Sequence, residues 1–465
     1  MTRRLPVEPA PGPLEGYAAR FDDLFGARAQ RDGFRRYLEG LLLPAERNKT
    51  LTALANTEPL KGAQRREAQG LQWFLSESGW GPREVNERRL GLLFGEPATS
   101  ASGKGVLVID EHGDRKWGKK TAHVGRQWLA NIGKTENGVV SVTSLWADEG
   151  VYYPVDFEPY TPSHHFGGGK NDPKFRTKLK IASELVGSAV QRGLPFTAVV
   201  ADSFYGEDEG FKRSLSELGV GYVMALKPSH AWWHKGDEIG SPWEAALVAG
   251  EGWEDERHPG DWSKVTRSFR DGHEEQWWAL EVDVGPYGPD KDRRAVVATT
   301  DPQRLPEKKT WYLTSNLPHP GSKRATESEL LAPAGLAQIV RLYGFRMWVE
   351  QSYKQVKHVL GWSDYQVRSD LAMRRHWQLV CCAFSFCWWA YGRLPTEEPT
   401  GTEDAPATEP AGRGKKEARG ILARSFEGGK GVVGAMDHAE SILEGVLRDA
   451  PAAETKSAAR AGVFG

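Results

Sequence analysis

The chain has 465 residues, 39% of them hydrophobic, with a formal net charge of −1, so it is long enough for several domains and lacks the global excess of cations that marks many nucleic-acid binders. Its three cysteines, Cys381, Cys382 and Cys387, fall in one apolar run, CCAFSFCWW, which excludes a spaced zinc site or a disulfide framework and reads as a buried helix. No apolar signal region opens the sequence and polar residues interrupt its longest apolar run, so a cytoplasmic protein without a membrane segment is expected.

Residues 1–14 are Pro-rich and read as a flexible N-terminus. Over 15–98, as in FDDLFGARAQRDGFRRYLEGLLL, apolar residues recur at helical spacing with Gly, Pro and Asn punctuation, which predicts a helical domain. Its cations, Arg35, Arg36, Arg47, Lys49, Lys61, Arg65 and Arg66 among them, could face DNA phosphates. Solvation explains them equally well.

The loop PATSASGKG marks a boundary near residue 100, and the period then changes. VLVID, 106–110, reads as a short buried strand delivering Asp110 to its end. HVGRQWLANIG and NGVVSVTSLWAD follow as two more strands. Residues 172–193 predict an amphipathic helix, FTAVVAD (196–202) a second buried strand ending in an acid, Asp202, and EGFKRSLSELG and GYVMALKP a further helix and strand. The segment 103–228 is thus expected to be an α/β unit with a mixed sheet. Asp114 follows Gly113 and reads as a turn residue, so Asp110 is preferred as the functional acid.

Residues 229–330 alternate β-like runs (KVTRSF, QWWALEVDV, RAVVATT, TWYLTSN) with Gly/Pro turns and read as a β-rich insertion. Helices return over 331–392. In RLYGFRMWVEQSYKQVKHVLG, 341–361, Tyr343, Arg346, Glu350 and Lys357 stand at offsets 0, 3, 7 and 14, which would align them on one face of a continuous helix. The plain alternative is a solvated face with ordinary Glu/Lys pairs. Residues 393–465 read as a disordered, acidic and Pro-rich linker followed by a short helical tail, AMDHAESILEGVLRDA.

Asp110, Asp202 and Glu350 can therefore converge, from two strand ends and one helix face. Hard divalent cations take oxygen ligands, and two Mg²⁺ ions held by a few carboxylates suit an in-line displacement at a phosphodiester. Strand-end aspartates are common, and it is the order strand-Asp, strand-Asp, helix-Glu that carries weight.

In this order, and in the spacing Y-(2)-R-(3)-E-(6)-K of Tyr343, Arg346, Glu350 and Lys357, the chain resembles the DDE transposases of bacterial insertion sequences. The stretches VIDEHGDRKWGKKTAHVGRQWLANIGKTENGVVSV and FRTKLKIASELVGSAVQRGLPFTAVVADSFYG share the likeness, which covers about residues 15–390. The resemblance implies an RNase H-like mixed-sheet core with a helical N-terminal domain and a β-rich insertion. It also implies metal ligation by Asp110, Asp202 and Glu350, with Mg²⁺ replaceable by Mn²⁺, and phosphate contacts by Tyr343, Arg346 and Lys357. Related enzymes use an insertion-domain Trp to receive a flipped base. Trp311, in TWYLTS, is the candidate, with core packing as the alternative.

Local charge agrees. Residues 115–134 carry Arg115, Lys116, Lys119, Lys120, Arg126 and Lys134 with no acid, and seven Arg or Lys face three acids between Arg341 and His376. The sequence is accordingly read as a metal-dependent DNA transposase that cleaves and joins double-stranded DNA at the inverted-repeat ends of an insertion sequence and in target DNA. It is expected to act as a homodimer in the synaptic complex and to be associated with the bacterial nucleoid. A nuclease on the same core without strand transfer, and a domesticated, non-catalytic DNA-binding protein, are the rival readings.

Overall fold

In the computed structural model, which describes residues 5–10, 12–43, 47–59, 61–233, 239–268 and 273–391, the helical spacing at the N-terminus resolves into five helices. They are α1 (Gly12–Ala18), α2 (Arg28–Leu42), α3 (Leu51–Leu54), α4 (Arg66–Ser76) and α5 (Pro82–Phe94). The chain is already ordered inside the stretch expected to be flexible: α1 begins at Gly12, and Leu14 is fully buried. The linker and tail expected over 393–465 lie outside the described residues.

The mixed sheet begins with β1 (Val106–Arg115), β2 (Gly125–Leu129), β3 (Lys134–Ala147) and β4 (Tyr152–Tyr160). It continues through α6 (Lys178–Gln191), β5 (Ala198–Ala201), α7 (Ser203–Gly206), α8 (Glu209–Glu217) and β6 (Tyr222–Ala225). Thr177 caps α6, its hydroxyl accepting from the Lys180 amide. Strand β4 was not legible in the sequence, because Pro154 and Pro159 interrupt its pattern. Among the described residues it pairs with β3 alone, and such an edge tolerates residues that cannot donate to a ladder.

Beyond β6 come β7 (Trp232–Trp233), β8 (Ile239–Gly240), α9 (Pro242–Glu251), β9 (Ser263–Ser268), β10 (Glu274–Val282), β11 (Arg294–Thr299) and β12 (Thr310–Ser315). The sheet order is β2-β3-β1-β5-β6-β12-β11-β10-β9. Strands β9 to β12 therefore extend the same sheet, joined where β12 lies antiparallel to β6. Among the described strands β1, β5 and β6 run parallel, and the buried Val/Leu/Ile/Ala run of β1 and β5 is what a strand covered on both faces requires.

The chain closes with α10 (Lys323–Glu327), α11 (Leu336–Gly344), α12 (Met347–Lys354), a π-turn at Gln355–Val359 and α13 (Asp370–Tyr391). Helix α13 is the post on which the N-terminal helices lean. Tyr17 packs against Phe386 and Trp389, and Arg375 caps the C-terminal end of α4 by donating to the carbonyls of Leu75, Ser78 and Trp80. Arg89, fully buried, ties α5 to both neighbours, donating to the carbonyls of Pro154 and Val155 and to the Ser385 hydroxyl. One apolar core thus runs from the N-terminal helices through the sheet into α13. Cys381, Cys382 and Cys387 are buried in α13 as free thiols, and no helix among the described residues is long and apolar enough to cross a membrane.

Candidate active site

Parallel pairing of β1 with β5 sets Val106, Leu107 and Val108 beside Ala198, Val199 and Val200. Continued by two residues, that register brings Asp110 level with Asp202 just past the end of β5. Asp110 does not end its strand, as the sequence pattern suggested. β1 runs on to Arg115 against β3, and the site opens because β5 stops. Asp202 instead caps α7, its carboxylate accepting from the Phe204 amide at 3.0 Å.

The third acid arrives on a helix that is not continuous. Backbone bonds from Arg346 to Tyr343, Trp348 to Phe345 and Val349 to Arg346 span three residues, so the chain tightens into a 3₁₀-like turn between α11 and α12. Three residues per turn bring Tyr343 and Arg346 nearly over one another. The π-turn at Gln355–Val359 then widens the coil and swings Lys357 toward β1. The single straight face expected from the offsets is replaced by a tight turn, one ordinary helix and a wide turn.

Arg346 is the centre of the arrangement. Its guanidinium lies 3.3 Å from Asp110, 3.8 Å from Asp202 and 3.6 Å from Glu350, so one cation meets all three acids. Its Nε is buried with no hydrogen-bond partner among the described residues. Burial pushes the Asp110 carboxyl up to about 7, with Arg346 opposing the rise and the Asp202 charge adding to it. Burial likewise lifts the Tyr343 hydroxyl to about 12 against the pull of Arg346. Glu350 is the loosest member, its side chain 62% exposed in the first turn of α12.

The donor chemistry fits a hard divalent ion: three carboxylates converge on one positive centre. Among the described residues no three His, Cys, Asp or Glu side chains stand close enough together to hold one ion as placed. Arg346 stands between the acids, and the exposed Glu350 carboxylate is the group with room to close.

Lys357 sits on a second acid, its Nζ 3.9 Å from Asp114. Asp114, read from sequence as a turn residue, is a buried strand position two residues beyond His112 and four beyond Asp110, all on one face of β1 by strand alternation. Burial would raise its carboxyl, but His112 at 3.1 Å and a hydrogen bond from the Ser363 hydroxyl hold it below the usual range. The His112 ring packs 4.8 Å from Tyr353, and the Tyr353 hydroxyl bonds that of Thr143, the residue paired with Asp110. Period-two spacing in IDEHGD was the signal for His112 and Asp114. Nothing in the sequence marked Tyr353, Thr143 or Ser363.

The remaining candidates lie apart. Lys119 and Lys120 are exposed on the loop after β1, and Arg126 is exposed on β2. Trp311 packs 4.3 Å from Trp277 and 5.0 Å from Tyr343, with the Arg267 guanidinium 4.7 Å over its ring. The ring is nonetheless only partly buried.

Residues 20–280 match the DDE superfamily endonuclease family. A curated relative, the probable transposase for insertion sequence element IS701 of Microchaete diplosiphon, is 31% identical over 372 residues, covering 79% of this chain and 85% of its own length.

Proposed function

The chain belongs to the DDE superfamily of endonucleases and is a DNA transposase of the insertion-sequence type, and we propose that Asp110, Asp202 and Glu350 are its catalytic acids. The observation that carries this assignment is Arg346, whose single guanidinium contacts all three. The family is served by divalent metal ions, and the ions proposed here are two Mg²⁺, with Mn²⁺ as a substitute, held by these carboxylates. When bound, such ions make an oxygen nucleophilic at neutral pH and neutralise the charge on the leaving oxygen.

The protein's own groups do the positioning. Asp110 and Asp202 are fixed by the backbone, one in β1 and one at the cap of α7, whereas Glu350 rides an exposed helix turn. Arg346 is rigidly placed and always charged, so its fork suits bidentate contact with a phosphate that enters between the acids. Tyr343, whose hydroxyl feels the Arg346 charge, offers a group that stays protonated. Lys357, steadied by Asp114, supplies a point charge to the next phosphate along the strand. Lys119, Lys120 and Arg126 extend the cationic surface toward flanking DNA. Two element ends must be brought together for transposition, which supports a homodimer in the complex.

The test is cleavage of a labelled duplex carrying the ends of the encoding element, with Mg²⁺, by wild type, Asp202→Ala and Glu350→Ala. Cuts at the element ends that vanish in both variants are expected. Cuts that persist in either variant would remove that acid from the assignment, and cleavage without joining would indicate the nuclease reading.

A further inference from the structure

The loop that follows β1 carries a tryptophan that the fold does not use. Trp117 is 84% exposed, yet it is not loose. The Arg115 guanidinium lies 4.1 Å over one face of its ring. The Asn137 side chain donates to the carbonyls of Lys116 and Gly118 on either side, at 2.6 and 3.0 Å. Lys116 anchors the loop from below, donating to the Ser363 carbonyl at 3.0 Å and sitting 3.4 Å over the Tyr365 ring. One face of the indole therefore remains open to solvent on a backbone held at three points.

A second exposed tryptophan lies on the hairpin that holds this loop. In the β2–β3 hairpin Arg126 pairs with Asn137 and Trp128 pairs with Thr135. Paired residues share a face, and positions two apart share it too. Trp128, 52% exposed, thus lies one pair along from the Asn137 that pins the Trp117 loop. The surroundings are basic: Arg115, Lys116, Lys119, Lys120, Arg126 and Lys134, with Glu136 engaged by Arg115 at 2.9 Å and Asp114 and Asp364 facing Lys116. Two open indoles in a cationic field match a polyanion with π-faces.

From the geometry we infer that Trp117, supported by Trp128, stacks on bases of the double-stranded DNA beside the cleaved phosphate, inserting at a base step or meeting an unstacked base. This rests on the transposase reading above. From Asp110 to the end of β1 and into the loop, extended chain covers about 20 Å, the length of about six base-pair steps. Arg346 at Asp110 and Lys357 at Asp114 lie along that strand. An aromatic wedge at that distance would bend or unstack the duplex and fix its register relative to the acids.

The experiment uses the full chain and a 30-bp duplex carrying one end of the encoding element, with 2-aminopurine placed singly four to eight base pairs from the cleaved phosphate. Wild type should raise 2-aminopurine fluorescence at one or two adjacent positions. Trp117→Ala should abolish that rise and weaken binding about 5- to 150-fold with an unchanged slope of log affinity against log salt, while Trp117→Phe retains most of both. A paired Lys119→Ala, Lys120→Ala variant should instead flatten the salt slope. The residue is exposed, so thermal melting of Trp117→Ala should match wild type. Wild-type binding and fluorescence in Trp117→Ala would overturn the inference, as would a variant altered only in self-association measured without DNA, which would make the indoles a contact between copies. Failure of wild type to bind the duplex at all would overturn the underlying reading, a result that the Trp117 variants alone cannot produce.

Discussion

Arg346 reaches Asp110 at 3.3 Å across 236 residues of sequence, and that contact orders the electrostatics of the site. A fork that meets three acids cannot be replaced by a point charge. Arg346→Ala should therefore cost about 10²- to 10³-fold in DNA cleavage, the usual loss for a preorganised charge at a reacting centre, and Arg346→Lys should recover little of it. Far-UV circular dichroism and melting of both variants would show the fold retained. Near-wild-type cleavage by Arg346→Lys would mean that charge, and not the fork, is what matters.

Asp114 and Lys357 form the second prediction. The lysine lies on a π-turn, a rare form of coil, and its acidic contact among the described residues is a buried strand carboxylate. Asp114→Asn keeps the shape and the Ser363 bond but removes the charge. Turnover should fall about tenfold, with the affinity for element-end DNA changed by less than about threefold, because the lysine still reaches phosphate but is no longer fixed. A matched loss of affinity and turnover would indicate that Asp114 only holds the fold.

The two aspartates and the glutamate were legible because strand ends and helix faces leave short-range patterns: VLVID and FTAVVAD announce buried strands, and the Tyr343-to-Lys357 spacing is nearly helical. What was not legible depends on partners distant in sequence. That β5 ends beside Asp110, while β1 continues, is a fact of pairing between chains 92 residues apart. The 3₁₀-like turn at Tyr343–Val349 and the π-turn after it are departures from 3.6 residues per turn that no side-chain period reveals. Asp114 reads as a turn after Gly113, yet β1 runs through both, Gly113 opposite Val140 and Asp114 opposite Val139 of β3. Strand β4 was hidden by its prolines, which only an edge position explains.

His376 should make the fold sensitive to acid. Its Nε2 contacts the Gly361 carbonyl at 3.0 Å and its Nδ1 the Tyr37 hydroxyl at 2.8 Å, so the neutral ring donates at one nitrogen and accepts at the other. Burial lowers its pKa from 6.5 to about 4. Because the folded value is depressed, the unfolded chain binds more protons between pH 6.5 and 4. Stability is thus complete above about pH 6.5 and declines as pH falls toward 4, by up to about 3 kcal/mol. Melting of wild type between pH 7.5 and 4.5, set against His376→Asn, is the check. An equal acid slope in the variant would assign the effect elsewhere.

Trp311 offers the sharpest choice between packing and chemistry. Its ring is held by Trp277 and Arg267 and supports Tyr343 edge-on, so truncation removes an aromatic cluster and leaves Tyr343, and through it Arg346, without a backing. Trp311→Ala should lower stability by about 2–3 kcal/mol and reduce cleavage, and Trp311→Phe should restore most of both, since a smaller ring still fills the same gap. A residue whose role is to receive an extruded base behaves differently: alanine would leave melting near wild type while abolishing the 2-aminopurine signal of base extrusion at the element end. Melting and that signal, measured on the same two variants, separate the roles because packing couples stability to activity and base reception does not.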